Sequence, residues 1–429
     1  MKPINTISSE TRGLGIVFRA LRYRNFRLFF VGQNISLIGT WMQNVAIGWM
    51  VYRMTHSAAM LGLVGFASQI PSFIITPFSG VYADRWNKYR VIMVCQVLAM
   101  IQALVIALLT LSGHIAVWQI IALGMTLGII SSLEIPTRHA FLVTMVERKE
   151  DLSNAIALNS LMFNAARLIG PPIAGVLITL WGEGICFTVN ALSYIAVIWA
   201  LALMRLPAHA RPEHSGNPLR ELKEGISYTF GSAPRRSILF LVGLMSLIAM
   251  SQSVLMPVFA RDILRGGAHT LGFLAGAVGL GALVGAAYLA TRTNPVRMLN
   301  IIPAAAGIFG TALIVLSMSR WLWLSVAALF FAGIGLMSHM VVSNTVLQTI
   351  TEDNKRGRVM SFYTMAFMGM ATFGTLLGGS IASRIGAPHT VLAGGIVCLC
   401  AGLVFSRQIP ELKKRVHGIR QLLDSPIGI

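Results

Sequence analysis

A chain of 429 residues that is 55% apolar and 11% charged carries too much apolar surface for one water-soluble core, since soluble domains average roughly 25% charged residues. The same composition excludes a disordered or fibrous chain. The formal charge of +19, from 34 Lys and Arg against 15 Asp and Glu, would suggest nucleic acid in a soluble protein, so the distribution of those charges has to decide.

A bilayer core takes about 20 apolar residues in a helix. Uncharged windows of that order run 28–52, 54–83, 91–133, 184–204, 237–260, 266–291, 298–319, 321–351, 359–383 and 385–406. The window 91–133 is long enough for two crossings with a turn at Ser112, Gly113 and His114, and 154–181 adds one more, interrupted only by Arg167. The expected fold is an all-α membrane protein with twelve transmembrane helices in two six-helix bundles. Phe26 opens a segment too long for a signal-peptide core, and no small-residue cleavage pattern follows, so the first segment is read as a retained span.

Alternating the spans from a cytoplasmic N-terminus puts 27 of the 34 basic residues on the inner side and five outside, with Arg138 and Arg167 inside spans. That bias is the positive-inside rule, and it predicts a multi-pass membrane protein with both termini in the cytoplasm. The positive charge is therefore topological, and no nucleic-acid partner is expected. Cys95, Cys186, Cys398 and Cys400 all fall within spans, where they read as small apolar side chains. The longest polar stretch, with Pro207, Pro212, Gly216 and Pro218, divides the chain into an N-terminal bundle (1–204), a cytoplasmic linker (205–236), a C-terminal bundle (237–406) and a tail (407–429). A repeat supports the division. Ala83, Arg85, Asn87 and Arg90 recur as Ala290, Arg292, Asn294 and Arg297, and Gly170 and Gly175 have counterparts in Gly374 and Gly379. Parallel six-helix repeats imply two bundles about an axis along the membrane normal, with a site between them at mid-depth.

The stretch from Gly80 through Asp84, Arg85, Asn87 and Lys88 to Arg90 resembles the inner-loop motif between spans two and three of the major facilitator superfamily, with Asn87 where that family has Gly. Asparagine is the residue after glycine best able to take a left-handed turn, so such a turn is expected there. Gly170, Pro171, Pro172 and Gly175 resemble the span-five glycine-proline motif of the superfamily's antiporters, with Ala174 in place of a glycine. From Arg138 through Asn154, Asn159 and Arg167 to Gly175 the chain is similar to the bacterial siderophore-exporter branch. The resemblance implies a secondary active transporter of the bacterial inner membrane working by alternating access, with protons as coupling ion. The arginine that drug antiporters of the superfamily carry in the middle of span four is absent from 122–132.

Each candidate residue has a physical reading. Asp84, where span two meets the cytoplasm, can accept from a neighbouring helix N-terminus or from Arg85 and Arg90, latching an inner gate. Gln33, Ser36, Thr40 and Gln43 share one face of span one, Ser160, Asn164 and Arg167 one face of span five, and span ten offers His339, Ser343 and Asn344. These faces are expected to line a lumen. Glu134 is the one acid well inside a span, with Arg138 four residues on; charges at that depth are expensive unless paired or wet. Glu134 is the proton-coupling candidate, and the alternative is a permanent bridge to Arg138 or Arg167. Gly170, Pro171 and Gly175 allow close helix approach. Among the 22 methionines, Met365, Met368 and Met370 suit a pocket for bulky or varied ligands. No phosphate loop, metal cluster or nucleophile elbow is present, so no enzyme activity, cofactor or metal is expected. The function expected is export of a small amphipathic, anionic molecule, siderophore-like or drug-like, by a monomer. A lipid or lysophospholipid translocator of the same fold is the alternative, and a non-transporting membrane sensor or scaffold that of another class.

Overall fold

The computed structural model describes residues 18–205, 227–290, 292, 298–352 and 355–424, with the side chains of 77–85, 149, 411 and 415–424 outside that description. Among the described residues there is no strand. Twelve long helices follow one another: α1 Arg24–Thr55, α2 Ala58–Arg85, α3 Lys88–Leu111, α4 Val117–Leu142, α5 Leu152–Trp181, α6 Glu183–Ala202, α7 Ala233–Val254, α8 Ala268–Ala290, α9 Ile301–Met318, α10 Leu322–Thr349, α11 Arg356–Ile385 and α12 Ala387–Asp424. Eleven of them are long and apolar enough to cross a membrane. The exception is α1, which has the length, 32 residues, but whose apolar surface is diluted by Gln33, Asn34, Ser36, Thr40, Gln43 and Asn44. Most of the linker, 206–226, lies outside the described residues, as do Asn294 and Arg297 of the repeat.

Turns are placed where the chain can reverse. Gly113, between α3 and α4, takes φ +76, and Gly182 and Gly386 take φ +82 and +85 at the corresponding points between α5 and α6 and between α11 and α12. A side chain at these angles would be strained, which is why glycine stands at all three. Helix packing repeats in the same way. In the first six helices α1 packs on α5 and α6, α2 on α4, and α3 on α4 and α6; in the last six α7 packs on α11 and α12, α8 on α10, and α9 on α10 and α12. The two sets meet along two seams, α2 against α11 and α5 against α8.

Both seams are built on small residues. A Cβ on Gly62 would stand 2.7 Å from the Thr375 carbonyl oxygen, and one on Gly379 would stand 2.5 Å from that of Ala58. Across the other seam a Cβ on Gly175 would meet the Ala268 oxygen at 2.8 Å, and one on Gly272 the Pro171 oxygen at 2.7 Å. In lipid, where no hydrophobic force draws helices together, such backbone approach supplies the van der Waals contact that holds them. These contacts favour one end of the molecule. One buried core joins Met42 to Tyr52 of α1, Leu61 and Val64 of α2 and Ala174 and Ile178 of α5 to the last six helices, all at the helix ends away from the basic loops. Toward the basic end the first six helices close a separate core of their own, around Phe26, Phe29, Ile92, Phe141 and Leu158. The halves are thus joined at the end poor in basic residues.

Candidate functional site

Glu134 sits two turns from the basic end of α4, and its i+4 neighbour Arg138 brings Nε to 3.2 Å from the carboxylate, both side chains being about nine-tenths buried. Gln96 of α3 donates from Nε2 to the same oxygen at 3.4 Å. Arg138 Nε stands close without directing its hydrogen at the acid, and Gln96 Oε1 is buried without a hydrogen-bond partner. The pair is therefore a single close contact through Nε with unused polar capacity, not a forked clamp. Pro136 lies between the two charges inside a continuous helix.

Arg167 does not join this pair. It occupies the middle of α5, and among the described residues no carboxylate or hydrogen-bond acceptor reaches its guanidinium. The guanidinium lies over the ring of Trp41, with Cζ 5.8 Å from the centroid, and Trp41 in turn meets Phe163 edge-on at 5.7 Å. Two close approaches hold this part of α5. A Cβ on Gly170 would stand 2.7 Å from Trp41 Cβ, and one on Gly279 of α8 would stand 2.9 Å from the Arg167 carbonyl oxygen. Pro171 is buried in the same stretch. One face of α5 thus packs on α1 and another on α8, and a cation with two aromatic rings sits at mid-depth by the seam. Asn164, one turn earlier, spends its amide on the Ser160 carbonyl of its own helix at 2.9 Å.

The polar face of α1 points elsewhere than expected. Gln33, Ser36 and Gln43 are all buried. Gln43 donates to Gln102 of α3 at 3.1 Å and accepts from Asn190 of α6 at 2.8 Å, while Gln102 donates to the Leu123 carbonyl of α4 at 3.3 Å. This network ties four helices together inside one half and lines no lumen. In α10, His339 and Ser343 are likewise fully buried, and neither ring nitrogen of His339 reaches a hydrogen-bond partner. Asn344, on the adjoining face, accepts from Gln348 at 2.7 Å in an exposed setting. Met365 and Met368 line a cavity of about 130 Å³ between α2 and α11, together with Gln69, Ser72 and Phe73.

At the basic end the side chains of Gly80, Asp84 and Arg85 lie outside the described residues. Asn87 does not turn left-handed: its φ is −66° and its side chain accepts from the Arg90 backbone N–H at 3.2 Å, capping α3. An amide oxygen satisfies a free helix N–H, so asparagine serves here as a cap where a turn was expected. Lys88 and Arg90 lie in the first turn of α3.

Three polar contacts had no sequence signal, because their partners lie more than a hundred residues apart. Asp151, buried before α5, accepts from Tyr23 at 2.6 Å and pairs with Arg19 and Arg22. Hydrogen bonds from Tyr23 and Arg22 hold its carboxyl below the usual carboxylate range. At the opposite end Arg53 grips Glu183 with two nitrogens, at 2.7 and 3.2 Å. There, too, the Tyr52 hydroxyl donates to Asp262, which sits in a π-helical turn, Phe259–Ile263, continuing α7. This bond runs from the first half to the second.

Solved structures share the architecture. A bacterial homologue of the human lysosomal transporter Spinster, inward-facing and unoccupied, superposes with a TM-score of 0.68 at 13% identity, covering 92% of this chain and 98% of that one. A bacterial homologue of the iron transporter ferroportin, in an inward-facing state, gives 0.66 at 16%, covering 91% and 98%. In sequence, the chain is 26% identical over 404 residues to the staphyloferrin A transporter of Staphylococcus aureus, covering 92% of this chain and 99% of that protein. It is 27% identical over 397 residues to the enterobactin exporter of Escherichia coli, covering 91% and 92%. The family model described as transmembrane secretion effector matches residues 17–424. With twelve long helices, two glycine-built seams and a match along nearly its whole length, the chain belongs to the transmembrane secretion effector family of major facilitator transporters.

Proposed function

We propose that this transporter exports an amphipathic, anionic organic molecule of siderophore type across the bacterial inner membrane, by alternating access and at the expense of the proton gradient. The observation that carries the reading is Arg167, a mid-helix cation beside the seam, set over Trp41, which packs on Phe163, and with no carboxylate partner among the described residues. A charge at that depth is costly and marks a ligand path unless the fold pairs it. Arg138 has Glu134, so the two arginines and one acid leave a single positive charge for cargo, and the charge is at Arg167. An aromatic anion would stack on the rings while accepting from the planar guanidinium. The siderophore transporters among the relatives support this cargo class.

With the basic end in the cytoplasm, cargo enters between the halves from that side, while the seams and the Tyr52–Asp262 bond close the other. Glu134 is the proton carrier in this reading. Its loose contacts with Arg138 and Gln96 leave it free to exchange a proton when the helices shift. Transport of a radiolabelled anionic catecholate into inside-out proteoliposomes tests the scheme. Wild-type protein is expected to accumulate cargo under an imposed pH gradient. Glu134→Gln should retain exchange without accumulation, and Arg167→Lys should weaken cargo affinity by roughly threefold to tenfold. Normal pH-driven accumulation by Glu134→Gln would remove the residue as carrier, and a preference for lipophilic cations would remove the anionic cargo.

A further inference from the structure

An apolar groove of about 510 Å³ runs along the outside of the first half, between α1 and α6, away from the seams. Its floor is the crossing at Gly32, where a Cβ would meet Ala196 O, Ala200 Cβ and Val197 Cα, each at 2.9 Å. Leu28, Val31 and Ile35 form one wall, and Leu192, Ile195 and Trp199 the other. All of these side chains are apolar and most are exposed, Trp199 by 65%, so the groove suits hydrocarbon and not water.

Its basic end is charged. Arg24 stands one turn before Leu28 on the face that continues through Val31 and Ile35, and Arg27 stands one turn before Val31. Arg205, just beyond α6, is tied across the groove mouth by Asn25, whose Nδ2 donates to the Arg205 carbonyl at 2.8 Å and whose Oδ1 accepts from the Arg205 N–H at 3.2 Å. The three arginines are exposed, and among the described residues none spends its guanidinium on a protein partner. Arg19 and Arg22, immediately before them, are both taken up by Asp151. Trp199 lies one turn and a half from Arg205, where an indole anchors at the membrane–water boundary.

We infer that this groove is a binding site for an anionic phospholipid, with one acyl chain laid along α1 and α6 and the phosphate held by Arg24, Arg27 and Arg205. Hydrocarbon fills the apolar length, and guanidinium forks match phosphate oxygens. A zwitterionic lipid brings an ammonium group against the same three cations and is disfavoured. The lipid is a resident of the outer surface and not cargo, so the site is independent of the transport reading.

Native mass spectrometry of the detergent-purified full chain tests this with phosphatidylglycerol, phosphatidylcholine of the same acyl chains, and chain-free glycerophosphoglycerol. One phosphatidylglycerol should be retained, with about a tenfold preference over phosphatidylcholine, and the chain-free headgroup should not be held. The variant Arg24→Gln/Arg27→Gln/Arg205→Gln should lose the preference. Ala196→Phe, which fills the groove and keeps every charge, should lose the lipid. Equal retention of the two lipids by the wild type, or a preference surviving in either variant, would overturn the site. Tight retention of glycerophosphoglycerol alone would make it a phosphate site and overturn the role of the groove. The wild-type comparison decides by itself if a variant does not fold.

Discussion

Asp151 pins the basic end of the first half: Tyr23, Arg19 and Arg22 all converge on it, while Asn154 accepts from the Ala20 N–H at 2.9 Å. Because its carboxyl titrates below the usual range when folded, its contribution to stability is complete above the ordinary carboxylate pKa of about 4 and is lost as pH falls through the lowered value. Asp151→Asn should therefore melt at a lower temperature than wild type at pH 7, with the difference shrinking on acidification below about pH 4. Melting of both proteins in detergent across that range checks it, and a gap independent of pH would argue for a packing effect. Legibility differed between neighbouring charges. The Glu134–Arg138 contact follows from their i, i+4 spacing on one helix, whereas the isolation of Arg167 depends on which helices surround α5.

The same contrast holds for whole helix faces. Gln33, Ser36, Thr40 and Gln43 share a face of α1 by periodicity alone, yet periodicity does not say whether that face meets a lumen or another helix. Lipid excludes polar groups from its side of a helix in both cases. Packing of α1 on α6 decided the matter and made Gln43 the centre of a buried hydrogen-bond network. Gln43→Ala leaves Gln102 Oε1 and Asn190 Nδ2 without the partner that Gln43 gave them and should cost about 1–3 kcal/mol of stability, with cargo affinity unchanged in the folded protein. Thermal unfolding together with equilibrium cargo binding checks it. A drop in affinity at full stability would return Gln43 to the transport path.

For the molecule as a whole, two seams of backbone contact and the hydrogen bond from Tyr52 to Asp262 hold the closed end. Tyr52→Phe keeps the ring and loses the bond, and a hydrogen bond to an ionised group is worth about 1.5–3 kcal/mol. The open-to-closed ratio at that end should rise roughly tenfold or more. Spin-label distances across it are the measurement, and an unchanged distribution would leave the seams as the sole closure. The sequence by itself determined the membrane class, twelve long helices, the glycine turn between α3 and α4 and the likeness of the two halves. These follow from local quantities: apolar length against bilayer thickness, charge against side, and glycine where φ is positive. Only the tertiary structure decided which polar face is buried inside a half, which charge stands at the seam, and which end is joined. Each of these depends on how rigid helices rotate against neighbours hundreds of residues away, and the one-dimensional pattern allows several rotations that hide polar atoms from lipid equally well.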